Sequence, residues 1–472
     1  MNTVLSLEQF SSIIRYQESF CYMNDKVHFS DNINLKNSSS LDNYPKVISN
    51  DGLTCNQNSE ETQILFQERD DILLRRLIRI YFDQGFIECI NTAANLYETN
   101  EESRVITLPA FYLKKSLDWI QDFRYKLQPQ LKELRSSFML YYGTRNWEHS
   151  LIRAITWQPL CLKLAIATLD DTVNVFHCGQ KTPATILRGK KQKDISCLSW
   201  RPYAAFELAV GTSIGVILWK IDQNSIQIRP SMANAIILKQ MNVASITWNS
   251  WGTLLITASS FYGNILVWNC EQNKNEKVWC SRIGVNLVTW AMSTHYICSS
   301  DIQGTYRVWD TYKWSSTRWK LHKGIIQTAC WTPCGTHLIF ATSEDPNVFT
   351  INMNVALAPN KDSTPLMGPT RLVETTKITL PNGEPCGGLI QNLQLSTNGS
   401  YLAILFKNSN YIAVCKIDVG CAVLQIFPCF LFCGLAGEQP ACIDFQKYCK
   451  HDSLLTVGWT NGRIQHVPII TM

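Results

Sequence analysis

A tryptophan closing a short apolar run recurs along this chain at nearly even spacing, and that spacing restricts the folds open to it. The residues are Trp157, Trp200, Trp248, Trp290 and Trp331, separated by 43, 48, 42 and 41 positions. Each is followed by the same phrase. Between residues 194 and 219, a first run ends on Trp200 and is stopped by Pro202. A second covers residues 208–210 and breaks at a Gly/Ser turn, and a third ends on Trp219. Matching phrases open at Ile152–Trp157, Val243–Trp248, Val285–Trp290 and Ile326–Trp331, with third runs reaching Phe176, Trp268, Trp309 and Ile351. A unit of roughly 40–45 residues with several short strands is too small to bury its own faces, so it must pack on copies of itself. Closed radially, such units make a β-propeller.

Two further units are degenerate but keep the middle strand. Residues 402–405 and 454–457 match residues 164–167, with Leu395 and Phe445 replacing the first-strand aromatic. Asn398-Gly399 and Asn461-Gly462 supply the turns. The longer gap before Leu395 places an outer strand around residues 372–380 beside a surface loop, within a surplus at 354–388. The fold expected is therefore all-β: a seven-bladed WD-repeat β-propeller over residues 146–472. In it Trp157, Trp200, Trp219, Trp248, Trp268, Trp290, Trp309 and Trp331 fill the wedges between blades. Small residues such as Ala165, Ala167 and Ala209 fit nearer the crowded axis.

Ahead of the ring the period changes. Residues 31–41 and 49–61 are rich in Asn, Ser and Asp, so 1–60 is expected to be largely disordered. The exception is 19–23, Ser-Phe-Cys-Tyr-Met, which is able to lend a strand to the last blade. Residues 138–142 are the other candidate for that role. Residues 61–145 read as a small helical segment packed on the propeller. Leu73, Leu77, Ile80 and Tyr81 share one face, opposite Arg75, Arg76 and Arg79. That face either packs as core or serves as a docking helix for a partner protein.

The totals exclude some classes. Lys+Arg number 43 against 38 Asp+Glu, and a net charge of +5 over 472 residues gives no reason to expect direct nucleic-acid binding. The 18 cysteines form no CxxC pair, and residues 1–10 carry Glu8 and no long apolar core, so neither a secretory leader nor a disulfide framework is expected. Residues 419–435 are too short for a membrane span and contain Pro428.

Several motifs resemble chemistry. Residues 211–215, Gly-Thr-Ser-Ile-Gly, spell a nucleophile elbow, but a strand follows rather than a helix, so they read as a hairpin turn. Asp170, Asp171, Asp301, Glu344 and Asp345 occupy equivalent turns and suggest an axial metal, although Asp is also a common turn residue. Arg188, Lys190, Lys191 and Lys193 form a basic loop without interleaved aromatics, read as a solvated connection. Cys421, Cys429, Cys433, Cys442, Cys449 and His451 fit no zinc spacing. No catalytic, cofactor or metal residue is therefore assigned.

Residues 456–468, Thr-Val-Gly-Trp-Thr-Asn-Gly-Arg-Ile-Gln-His-Val-Pro, resemble the last blade of the aladin family of WD-repeat nucleoporins, with Gly458, Trp459, Gly462 and Arg463 as signature. Residues 169–176 resemble its first blade, and the helical segment at 67–96 has the family's placement. The resemblance spans roughly 65–470. Only Trp309-Asp310 is a WD dipeptide, the usual Gly-His pair is absent, and the C-terminal tail of vertebrate relatives has no counterpart before Met472. The resemblance implies a non-enzymatic scaffold subunit of the nuclear pore complex at the nuclear envelope. It would support nucleocytoplasmic protein transport and bind other nucleoporins, including a transmembrane one, with a second role at the mitotic spindle. Membrane association would be indirect, with no cofactor and no homo-oligomer. The alternatives are a WD-repeat adaptor in ubiquitin ligation or trafficking, and a propeller enzyme with an axial metal.

Overall fold

The structure is a computed structural model. It describes residues 4–14, 20–23, 26–29 and 44–47, then 90, 93–94, 108–116 and 119, then 150–470 apart from 179–182, 205, 222–229, 231–234, 273, 357–367, 420–423 and 448–451. Two compact units result: Met1–Ile48 with Phe138–Met472, and Ser49–Ser137. In the second unit the described residues are helical, and 108–116 carries Pro109 in its first turn, where a missing N–H costs nothing. Leu73, Leu77, Ile80 and Tyr81 lie outside the described residues, as do 138–142.

The larger unit is the seven-bladed propeller. The first four blades are antiparallel four-stranded meanders, taken in chain order. Blade one comprises Ile152–Trp157, Lys163–Thr168, Val173–His177 and Thr185–Leu187; blade two, Cys197–Trp200, Glu207–Gly211, Gly215–Lys220 and Ala235–Lys239. Blade three comprises Val243–Trp248, Leu254–Ser259, Asn264–Asn269 and Lys274–Trp279; blade four, Val285–Trp290, Tyr296–Asp301, Thr305–Asp310 and Ser315–Lys320. Second strands such as Lys163–Thr168 and Tyr401–Phe406 are buried at every residue, because both their faces meet another blade. Outer strands such as Lys274–Trp279 are mostly exposed and correspondingly polar.

Blades five to seven are completed by the N-terminus. Blade five (Ile326–Trp331, His337–Thr342, Asn347–Asn352, Thr370–Glu374) takes Leu5–Ser6 in parallel on its outer strand. Blade six (Ile390–Leu395, Tyr401–Phe406, Tyr411–Val419, Leu424–Cys433) takes Ile13–Ile14 in the same way. Blade seven has only three strands of its own (Pro440–Phe445, Asp452–Trp459, Ile464–Ile470). Phe20–Met23 pairs in parallel with its last strand and Lys26–Phe29 follows. Residues 4–14, 20–23, 26–29 and 44–47 thus pack on the ring, whereas the polar stretches 31–41 and 49–61, on which the expectation of disorder rests, lie outside the described residues. Leu5, Leu7, Phe10, Ile14 and Tyr22 bury enough apolar surface to offset the entropy of ordering them. The outer strand expected around 372–380 is Thr370–Glu374, followed by a small hairpin of Ile378–Thr379 and Pro385–Cys386.

Seven apolar clusters form, one at each seam. Trp200 and Trp219 pack with Val173, Val175 and Leu187 between blades one and two. Trp248 and Trp268 lie between blades two and three, and Trp309 between three and four with Trp290 against it. Trp331 borders the cluster between four and five. Leu5, Leu7 and Phe10 enter the cluster of blades five and six, Ile14 and Tyr22 that of six and seven, and Tyr44 that of seven and one, where Trp157 sits.

Candidate functional site

The first-strand tryptophans also carry polar links across the seams. Trp157 Nε1–H donates to Thr456 Oγ1 of blade seven at 3.0 Å, and Trp200 Nε1–H to the Thr156 carbonyl of blade one at 3.2 Å. Trp248 reaches the Ser199 carbonyl at 3.4 Å, and Trp331 reaches Thr289 Oγ1 at 3.1 Å. Of the third-strand tryptophans, Trp268 and Trp309 bond within their own blade, to Thr257 Oγ1 and Ser299 Oγ, and Trp219 Nε1–H donates to Gln192 Oε1 in the connection from blade one. Thr257 in turn donates to Gln240 Oε1, and Ser299 to Cys280 Sγ. Gln192, Gln240 and Cys280 all precede a blade's first strand, where the sequence lacks the Gly-His pair. Partly apolar or amide side chains meet the buried indole network there instead.

The seam between blades seven and one has no covalent run from one blade to the next, so side chains close it. Asp444 Oδ2 accepts the Trp157 backbone N–H at 2.8 Å. Thr456 Oγ1 lies 3.0 Å from His466 Nδ1, whose Nε2 is 3.0 Å from the Pro45 carbonyl. The Ile464 N–H donates to the Lys46 carbonyl at 2.7 Å, and the Tyr44 ring meets His466 edge-on at 5.2 Å. Burial raises the Asp444 carboxyl and pushes the His466 imidazole down to about 4.

The four signature residues form a structural corner in blade seven. Trp459 is fully buried, and the Arg463 guanidinium lies 4.9 Å over its ring. Arg463 Nη2 donates to Glu438 Oε2 at 2.6 Å and Nε–H to both carboxylate oxygens at 3.1 Å, while Nη1 reaches Gln465. The Leu435 N–H and the Asn461 amide complete the carboxylate's shell. Burial works to raise the Glu438 carboxyl, but Arg463 and these donors outweigh it and hold it below the ordinary range. Gly462 turns the chain at φ 92°. At Gly458 an added Cβ would stand 2.7 Å from Ile155 Cδ1, so a larger residue would have to push that side chain of blade one aside. With its donors engaged inside the corner, Arg463 positions backbone and is not presented to an anion.

The other motifs are held locally. In 211–215 the Thr212 hydroxyl caps Gly215 and Ser213 Oγ donates to the Lys193 carbonyl, which makes the segment a hairpin turn. Asp171 accepts from Arg153 Nη1 at 3.0 Å and from the Ile195 N–H, and burial raises its carboxyl despite both. Asp301 accepts the Gln303 and Thr305 N–H groups and the Ser281 hydroxyl. Among the described residues no three His, Cys, Asp or Glu side chains converge on a metal position. Cys429 and Cys433 lie on blade six and Cys442 on blade seven. Cys421, Cys449 and His451 fall outside the described residues.

What the ring does present is apolar surface on one of its two ends. First-to-second-strand turns and third-to-fourth-strand turns share one end of each meander. The Arg201 side chain bonds the Gly252 carbonyl there, tying the turns of blades two and three. On that end Tyr203, Trp251 and Tyr312 are 68%, 72% and 74% exposed, beside exposed Leu160, Phe206 and Met292. Tyr203 and Trp251 stack at 6.3 Å. Tyr203 (φ 58°) and Trp314 (φ 50°) adopt left-handed backbone at turn positions that suit Gly or Asn. The sequence reading missed this surface, since an exposed aromatic in a turn looks like any other until neighbouring turns are brought together.

A family model described as the aladin seven-bladed propeller matches residues 135–470. The chain is 22% identical over 326 residues to a protein of Arabidopsis thaliana named Aladin, covering 63% of this chain and 71% of that one. Among solved structures, the β-propeller domain of Cps50 (Swd1) from Myceliophteria thermophila matches at a TM-score of 0.49 and 16% identity, covering 67% of this chain and 96% of that one.

Proposed function

Because this chain belongs to the aladin seven-bladed propeller family, we propose that it is a non-enzymatic scaffold subunit of the nuclear pore complex. In this reading it sits at the nuclear envelope and supports nucleocytoplasmic protein transport through protein–protein contacts. The family match over 135–470 carries the proposal. Asp171, Asp301 and Ser213, three of the residues that sequence alone offers for chemistry, are bonded within turns and blade connections, which supports a binding role over catalysis. The aromatic end of blades one to four is the contact surface in this proposal, suited to other nucleoporins, including a transmembrane one that would make membrane association indirect.

The test is a tagged chain expressed in dividing cells, imaged and then purified after nuclear-envelope extraction. A nuclear-rim pattern with nucleoporins co-purifying is expected, and their loss with Tyr203→Ser/Trp251→Ser/Tyr312→Ser in a chain of unchanged melting. A diffuse or vesicular pattern would refute the pore assignment. Spindle signal in mitosis would extend the reading to the second role.

A further inference from the structure

Opposite the aromatic end, second-to-third-strand turns and the connections between blades share the other end of the ring. There a groove of about 720 Å³ opens between blades two and three. Ile214, Met241 and Tyr262 form its apolar lip, with Ile214 and Met241 45% and 50% exposed. Lys191, Lys239 and Lys277 stand around it, and among the described residues no carboxylate lines it. The alternation of Lys274–Trp279 explains part of that bias. Asn275 and Lys277 fall on the groove side, whereas Glu276 takes the alternate register and lines nothing there. A second hollow continues from Lys277 past Trp279 to Arg282, again without a carboxylate. Lys191 belongs to the basic loop that sequence alone reads as a solvated connection, and here it becomes one wall of a cationic channel.

We propose that this groove binds an acidic, extended peptide segment of a partner protein, anchored by a large apolar side chain between Ile214 and Met241. Charge complementarity selects the acidic segment, since several cations surround a cleft free of their counter-charge. Ile214, Ile237, Met241 and Leu266 make most of the apolar wall, which selects a peptide over a nucleic acid. Among the described residues Tyr262 is the one aromatic side chain lining the groove, and the Trp279 ring in the adjoining hollow is covered by the Arg307 guanidinium at 5.8 Å, whereas bases would need successive stacking faces. The extended form follows from what the molecule does to itself. On blades five and six the outer strands accept short N-terminal segments in parallel, while no described strand covers the outer side of Ala235–Lys239. This inference does not depend on the nuclear-pore assignment.

Fluorescence anisotropy with the full chain tests it. The probe is a labelled synthetic peptide of Glu and Asp with a central Leu-Phe pair. Its controls are the same peptide with Ser for Leu-Phe and a single-stranded oligonucleotide of equal charge. The acidic apolar probe should bind, and both Lys191→Glu/Lys239→Glu/Lys277→Glu and Ile214→Asp/Met241→Asp should weaken it at least about tenfold. All substituted side chains sit on the surface, so both variants should melt like the wild type; Leu160→Asp on the other end should leave binding unchanged. The proposal is overturned if the apolar pair is dispensable, if neither variant weakens the probe, or if the oligonucleotide displaces the peptide at equal concentration.

Discussion

Acid should destabilise the ring through His466, and the size of the effect follows from where that imidazole sits. The Pro45 carbonyl can only accept, so Nε2 carries the proton, and Nδ1 must accept from the Thr456 hydroxyl, which itself accepts from the Trp157 indole. A second proton on Nδ1 would leave two donors facing one hydroxyl inside the seam. Burial, with Lys46 adding to it, lowers the imidazole from 6.5 to about 4, against the pull of the Pro45 carbonyl. The unfolded chain therefore takes up a proton near the ordinary value while the folded chain resists it. The stabilisation is full above the unfolded pKa and is lost as pH falls towards the folded one. At about 1.4 kcal/mol per unit, the loss amounts to about 3 kcal/mol. Asp171 and Asp444 act in the opposite sense, because burial raises their carboxyls and the folded chain then holds protons more readily. A difference measurement removes them. His466→Gln keeps one donor and one acceptor but cannot ionise. Urea midpoints followed by tryptophan fluorescence should show the wild type losing about 3 kcal/mol relative to this variant between about pH 7 and pH 4. Parallel curves for the two proteins would refute the argument.

Three further outcomes are expected. Trp200→Ala should cost about 3–5 kcal/mol by opening a cavity between blades one and two, and an unchanged melting curve would remove the wedge role. Leu7→Ala should cost about 2–5 kcal/mol and speed amide exchange along Thr370–Glu374, because Leu7 packs against Gly387 in the seam of blades five and six. Exchange as slow as in the wild type would show that the N-terminal run does not guard that edge. Tyr203→Gly should leave stability within about 1 kcal/mol, since relief of the left-handed turn offsets the lost ring stack. A loss beyond about 2 kcal/mol would mean that the ring packs as core.

The propeller was legible because blade packing demands a bulky residue at a fixed point in every unit, and Trp157 to Trp331 display that demand in one dimension. The strand at 20–23 was legible only as one of two candidates, as an apolar run amid polar sequence, because 138–142 offers a similar run. Leu5–Ser6 and Ile13–Ile14 were not. Two residues show no period, and their pairing is decided by open edges on blades hundreds of residues away. Gln192, Gln240 and Cys280 escaped notice because each answers a buried indole network that exists only after folding. Of the candidate surfaces, the residues of the blade-seven corner stood out through family resemblance. The aromatic end and the cationic groove each assemble from turns of different blades, and no single turn announces them.

The described N-terminal residues pass over three junctions of the ring in succession, five to six, six to seven and seven to one, and none of them lies over the other four. Under a pull along the circumference the belted arc resists by shearing extra strand pairs, so failure should begin between blades one and five. A crosslink across any of those four junctions would therefore toughen the molecule more than one placed beneath the belt.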